Sequence, residues 1–316
     1  MTTRKHTKKK ILKTHTPQAF NINDSLQWKS FLDREGYVVI ENIVSREQKE
    51  TATQLFKKDL SAISPSFQWN DKSTWTCKNS PIVFGKSSAV YCGFGHCDSN
   101  WYLRLQNKAK QAFQLAYDTD DLVVSFDGMS LFFSDKQQSQ TSWLHQDQRK
   151  QDKRLSYQGV LNLLERKEDD AGFICVPRSH KEYKAPEAKR DWVIIPKDSP
   201  YQEKAVKILT PERSLIIFHS KLIHANCGMK KKHPKGIHLN RLSAYITFVP
   251  RSRQPKNIKE QRIKSYSSGE ACSHWADRYE PKTIIFYLRK KFSLFNTIQP
   301  TFTKEGRIPE ERLELF

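Results

Sequence analysis

Four side chains carry the chemistry that this sequence offers. His145 and Asp147 lie two residues apart in Trp143-Leu144-His145-Gln146-Asp147. His224 closes Phe218-His219-Ser220-Lys221-Leu222-Ile223-His224, and Arg241 opens Arg241-Leu242-Ser243. Two imidazoles and one carboxylate are the ligand set of a non-haem Fe(II) oxygenase, which leaves coordination positions open for a co-substrate and O2. On a strand, His-x-Asp puts both ligating groups on one face, because side chains alternate. Arg241 enters an apolar strand, where an unpaired charge is very costly. A bound dicarboxylate would satisfy it through a bidentate contact. Ser243, on the same face, would add a hydroxyl. The pattern therefore points to Fe(II), O2 and a dicarboxylate co-substrate.

His-x-Asp alone says little, since a lone strand His is more often a satisfied core residue. Arg241 with Ser243 is what turns a metal site into a co-substrate site. Other groups compete. His219 stands near His224, and His180 follows Pro177-Arg178-Ser179. His96 with Cys92 and Cys97 makes half of a zinc site, with no second pair to complete it. No Gly-rich phosphate loop and no Gly-x-Ser-x-Gly elbow is present.

The elements that must position these groups are legible in part. Asp24-Ser25 reads as the start of a short helix that Gly36 ends, followed by a strand at Tyr37–Ile40. Ser45-Arg46-Glu47-Gln48 has the form of a capping box, and apolar residues at helical spacing predict a helix over 46–63. Residues 64–100 read as irregular, and a second helix follows near 105–117. After Asp120 the pattern changes to short β-rich runs: 122–126, 130–134, 157–164, 173–176, 192–195, 214–218 and 242–249. Helices first and strands second predict an α+β chain with a jelly-roll β core over about 121–250.

The chain has 316 residues, a net charge of +20 and 37% hydrophobic residues, enough for a sizeable core. No apolar run is long enough to span a membrane. The basic N-terminus lacks an apolar stretch behind it, and the six cysteines show no CxxC spacing, so free thiols in an intracellular setting, cytoplasmic or nuclear, are expected. The charge is concentrated in residues 1–16 and 228–264. Residues 1–20 read as a disordered basic arm and 21–316 as one domain with a basic C-terminal extension. Such a surface suits an anionic small molecule or nucleic acid, or serves solubility alone.

The chain resembles the phytanoyl-CoA dioxygenase family of Fe(II)/2-oxoglutarate oxygenases. The likeness lies in Phe31–Glu41, in Leu144-His145-Gln146-Asp147, in Asp169–Lys181, in Phe218–His224 and in Arg241–Tyr245, and spans roughly residues 25–250. It implies a double-stranded β-helix (jelly-roll, cupin-like) fold with flanking helices. It implies His145, Asp147 and His224 as iron ligands and Arg241 as the clamp for 2-oxoglutarate. By the same likeness Gln146 and Asn226 would lie near the co-substrate, with Ser142 a further candidate. Related halogenases need a small residue where Asp147 stands, so the carboxylate implies C–H hydroxylation rather than chlorination. Arg178 stands where the family usually has Gly. The stretch Lys230–His238 is longer than expected and reads as a basic lip for an anionic substrate. Two alternatives remain open. One is a nucleic-acid demethylase of the same superfamily, weakened by Thr247 where that group carries a second Arg. The other is a non-catalytic jelly-roll binding protein.

Overall fold

The computed structural model describes residues 12–76, 78–82, 88–133, 143–229, 236–282 and 289–316. The chain opens with two short strands, β1 (Lys13–His15) and β2 (Ala19–Phe20). Helix α1 (Ser25–Glu35) and strand β3 (Tyr37–Ile40) follow. Between them Gly36 takes φ +81°, and a Cβ there would fall 2.4 Å from His180 Nδ1, so glycine is required twice over. Helix α2 (Arg46–Ile63) begins with the expected capping box. Ser45 Oγ accepts from the Gln48 amide at 3.0 Å, and the Ser45 amide donates to Gln48 Oε1 at 2.7 Å.

Residues 64–100 are more ordered than their sequence suggested. They hold β4 (Ser88–Ala89) and the start of α3 (Asp98–Arg104), which leads into α4 (Asn107–Tyr117). The strands of the core are β5 (Leu122–Val124), β6 (Met129–Phe133), β7 (His145–Gln146), β8 (Tyr157–Asn162) and β9 (Gly172–Val176), then β10 (Val193–Ile194) and β11 (Val206–Ile208). After these come β12 (Ser214–His219), β13 (Ile223–Cys227), β14 (Leu239–Tyr245) and β15 (Phe248–Pro250). Two one-turn helices, α5 (Ser179–Glu182) and α6 (Tyr201–Lys204), lie in the connections between strands. The predicted run 242–249 is thus two strands, split at Ile246-Thr247.

Two large, mostly antiparallel sheets result, one in the order β1-β11-β9-β13-β7-β10 and the other β2-β3-β12-β8-β14-β6-β4. The chain alternates between them from β6 to β9. Strand β12 shows why its sequence reads as a continuous apolar run. Leu215 and Ile217 face a core shared with α2, α3 and α4, whereas Ile216 and Phe218 face Phe173, Cys175 and Ile208 of the other sheet. A strand covered on both faces carries apolar side chains at every position.

The expectation of a disordered arm over residues 1–20 needs correction in its described part: Lys13–His15 and Ala19–Phe20 form β1 and β2, parallel to β11 and β3. Such edge pairing leaves no local periodicity to read. The C-terminal residues, expected as a basic extension, contribute Tyr266, Cys272, Phe292, Phe295, Leu315 and Phe316 to the main core. Helix α7 runs Lys256–Ser267. Its Arg262 is fully buried, with the guanidinium 4.0 Å from the Phe126 ring centroid and donating to the Ala276 carbonyl at 3.0 Å. Part of the basic character of this region is therefore interior. No described helix is long and apolar enough to cross a membrane.

Candidate metal centre

Strands β7 and β13 lie side by side with His145 opposite His224, so the two rings are 4.5 Å apart between centroids. The Nδ1 atom of His145 meets the Trp143 carbonyl at 3.0 Å, and that of His224 meets the Leu222 carbonyl at 2.9 Å. With each Nδ1–H donated to backbone, both Nε2 lone pairs are free to bind a metal. Asp147 completes the group, with Oδ1 3.4 Å from His145 Nε2 and Oδ2 3.2 Å from His224 Nε2. The three ligand atoms lie within 4.8 Å of one another.

The carboxylate is itself held. Gln158 Nε2 donates to Asp147 Oδ2 at 3.1 Å, and the Asp147 amide donates to the Ser220 carbonyl at 3.0 Å. Burial alone would raise the Asp147 pKa, but with the rings protonated the His145 charge and the hydrogen bonds of His145 and His224 hold it well below the usual carboxylate range. One oxygen and two nitrogen donors brought together in this way suit Fe(II).

Arg241 sits on β14 in the facing sheet and is fully buried. Its Nη1 donates to Asn226 Oδ1 at 2.7 Å, and its Nε is 3.5 Å from Ser243 Oγ. Asn226 Nδ2 donates in turn to the Tyr245 hydroxyl at 3.0 Å. Ser243 is aligned with Asn162 on β8 and with Ser130 on β6, so three polar side chains form a row across the sheet. Ser243 Oγ donates to Asn162 Oδ1 at 2.9 Å. Arg241 Nη2, Asn162 Nδ2 and Ser130 Oγ are buried without a hydrogen-bond partner among the described residues. Unsatisfied buried donors of this kind are costly, and a carboxylate would satisfy them. The donor cluster therefore fits one end of 2-oxoglutarate. Ser130, Asn162 and Tyr245 were not singled out in the sequence. The available signal was a polar residue inside an apolar strand run, as in Met129-Ser130-Leu131 and Leu161-Asn162-Leu163.

Not every candidate comes together. Gln146 alternates to the other face of β7 from His145, and its amide is given to the Lys221 carbonyl. The expectation that it lies near the co-substrate is not met, because strand period two turns it away. Ser142 and Lys230–Lys235 lie outside the described residues. His219 keeps Nδ1 for the Lys221 amide, and His180 packs beneath Gly36 with Nε2 on the Asp33 carbonyl. Arg178 takes φ +66°, a conformation that Gly adopts more easily. Here the strained position is tied down by a bidentate contact to Glu35, at 3.1 and 3.0 Å.

His96 and its neighbouring cysteines form no metal site. His96 lies in an aromatic cage of Phe126 and Tyr266, with Nε2 on the Glu270 carbonyl at 2.8 Å. Burial pushes its pKa from 6.5 down to about 3. The unfolded chain therefore binds this proton first, and stability is lost as pH falls from about 6.5 towards 3. Urea unfolding at a series of pH values should show His96→Leu with a shallower slope, by up to about 1.4 kcal/mol per pH unit.

No family model matches the chain. The curated protein "Ava biosynthesis cluster protein O" from Aspergillus versicolor is 31% identical over 156 residues, covering 49% of this chain and 50% of that protein. The matched part thus spans about half of the relative's length. Two solved structures share the fold. The non-heme alpha ketoglutarate dependent carbocyclase SnoK from nogalamycin biosynthesis is 9% identical, covering 74% of this chain and 88% of its own, with a TM-score of 0.51. EctD from S. alaskensis, with 2-oxoglutarate and 5-hydroxyectoine, is 14% identical, covering 86% and 89%, with a TM-score of 0.50. The chain shares its α+β fold with enzymes of the non-haem iron, 2-oxoglutarate class and carries a His-Asp-His group of its own.

Proposed function

We propose that this protein is an Fe(II)- and 2-oxoglutarate-dependent dioxygenase that hydroxylates a C–H bond of a small molecule. One observation carries the reading. A His-Asp-His group on one sheet is paired, in the same protein, with a fully buried Arg241 and unsatisfied donors on the other. We read the two facing sheets as a double-stranded β-helix, and the sequence likeness supports a place near the phytanoyl-CoA dioxygenase family. The solved relatives are named for alpha ketoglutarate dependence or for bound 2-oxoglutarate, which agrees with the donor cluster. Neither they nor the geometry support the nucleic-acid alternative.

His145, Asp147 and His224 would hold Fe(II), and bound iron with 2-oxoglutarate supplies the oxidising chemistry. The protein's part is position. Backbone carbonyls orient both imidazoles, and Gln158 and Ser220 orient the carboxylate. Arg241, Ser243, Asn162 and Ser130 would hold the distal carboxylate of 2-oxoglutarate, and Asn226 braces Arg241 from the opposite sheet. Dispersing the co-substrate's charge over fixed donors excludes water and fixes its angle of approach.

Incubation with Fe(II), ascorbate and labelled 2-oxoglutarate should release succinate and CO2 even without substrate, at a slow uncoupled rate. Omitting Fe(II) or adding a chelator should stop it. Metal-independent background alone would leave a non-catalytic binding protein as the reading.

A further inference from the structure

Asp147 is the member of the ligand group that no strand ladder holds. His145 and His224 lie on β7 and β13 and are paired with each other, whereas β7 ends at Gln146 and the chain leaves the sheet at Asp147. Beyond the bond from its amide to the Ser220 carbonyl, the backbone turns through residues 148–154, with the Asp152 amide donating to the Arg149 carbonyl at 3.2 Å. The direction of the carboxylate therefore depends on what anchors this turn.

Its anchors come from far along the chain. The Arg149 amide, two residues past the ligand, donates to Asp191 Oδ1 at 2.9 Å, and Asp191 Oδ2 accepts from Arg278 Nη1 at 2.5 Å. Arg278 Nη2 donates to Asp152 Oδ2 at 2.8 Å. One guanidinium thus grips the turn twice, directly at Asp152 and through Asp191 at Arg149. Asp152 passes the restraint on. Its Oδ1 accepts from the Arg154 amide at 3.0 Å, and its carbonyl accepts from Lys221 Nζ at 2.6 Å, next to Ser220. Buried Gln148 closes the turn by donating to the Arg154 carbonyl at 2.7 Å. The side chains of Asp152 and Asp191 are only 7% and 14% exposed, and the Arg278 guanidinium lies 4.1 Å from the centroid of the buried Trp275 ring. A sheltered Arg shared by two carboxylates holds its partners more firmly than an isolated surface pair does.

We propose, on the basis of the metal-centre reading above, that Arg278 is a positioning residue: through Asp191 and Asp152 it sets the direction of the Asp147 carboxylate, and with it the affinity of the centre for a divalent cation. The restraint runs through the backbone of residues 148–152. Groups that orient a metal ligand from outside typically contribute about 10–100-fold to metal affinity. Here that contribution comes from a residue more than a hundred positions beyond the ligand it orients.

Calorimetric titration of the metal-free full chain with Mn(II) tests this. Arg278→Met and Asp191→Ala should each weaken Mn(II) binding about tenfold, and Arg278→Lys should recover part of the loss, since an ammonium can still pair with one of the two carboxylates. Because Arg278 acts in part through Asp191, the double variant should bind within about twofold of the weaker single variant, not about a hundredfold below the wild type. A role confined to folding would lower the unfolding temperature of the metal-free protein and leave the Mn(II) affinity of the folded chain unchanged, and that result overturns the inference. Effects of the two substitutions that simply multiply overturn it as well. If Arg278→Met does not fold, Arg278→Lys and Asp191→Ala decide the same question. A wild type that binds no Mn(II) removes the metal-centre reading and this inference together, whereas wild-type binding matched by the variants removes the inference alone.

Discussion

Asp147→Ala should abolish succinate formation, by at least about a thousandfold, or about 4 kcal/mol of lost transition-state stabilisation. Asp147 is the single carboxylate of the His-Asp-His group, and its two oxygens lie between two imidazoles, at 3.4 and 3.2 Å. Without it the remaining nitrogens offer no charge neutralisation to a divalent ion. The loss should also be visible without turnover. A ligand at about a hundredfold excess over its Kd stabilises the native state by about 2.7 kcal/mol, so Mn(II) should raise the unfolding temperature of the wild type. That rise should vanish in Asp147→Ala. The Asp147→Asn variant separates coordination from packing. It keeps the volume and an oxygen for Gln158, yet should lose most of the activity. Full activity in Asp147→Asn would remove Asp147 from the ligand set.

Arg241→Met is expected to raise KM for 2-oxoglutarate at least about a hundredfold, because the variant has no guanidinium to pair with the distal carboxylate. The same variant should be more stable than the wild type in the absence of ligand. Arg241 is fully buried, burial lowers its pKa, and it finds an amide oxygen and a distant hydroxyl but no carboxylate among the described residues. Arg166, also buried, has its pKa pushed down to about 10, first by burial and then by the Arg241 charge nearby. Replacing such a charge with an apolar side chain of similar length stabilises by about 1–4 kcal/mol. Urea unfolding with and without 2-oxoglutarate measures both effects. Wild-type stability should rise with 2-oxoglutarate, and that of Arg241→Met should not. A variant less stable than the wild type without ligand would mean that the guanidinium is already satisfied.

The features legible in the sequence are those that alternate or repeat locally. His145 and Asp147 share a face because strand side chains do, Leu215–Phe218 reads as doubly covered because it is, and Ser45 announces α2 through its capping box. Arg241 and Ser243 were legible for the same reason, as polar residues in register on an apolar strand. What could not be read depends on distant partners. Strands β1 and β2 are short edges defined by pairing to β11 and β3. Ser130 and Asn162 acquire meaning once β6, β8 and β14 are set in register. Arg278 meets Asp191 and Asp152, 87 and 126 positions earlier in the chain, and no local pattern marks it.

The segment 271–282 is fastened to its surroundings by side chains such as Arg278, with little ladder pairing, whereas His145 and His224 lie on β7 and β13. Changes in that segment disturb few backbone hydrogen bonds of the sheets. Substitutions in this segment can therefore leave the backbone that positions His145 and His224 undisturbed.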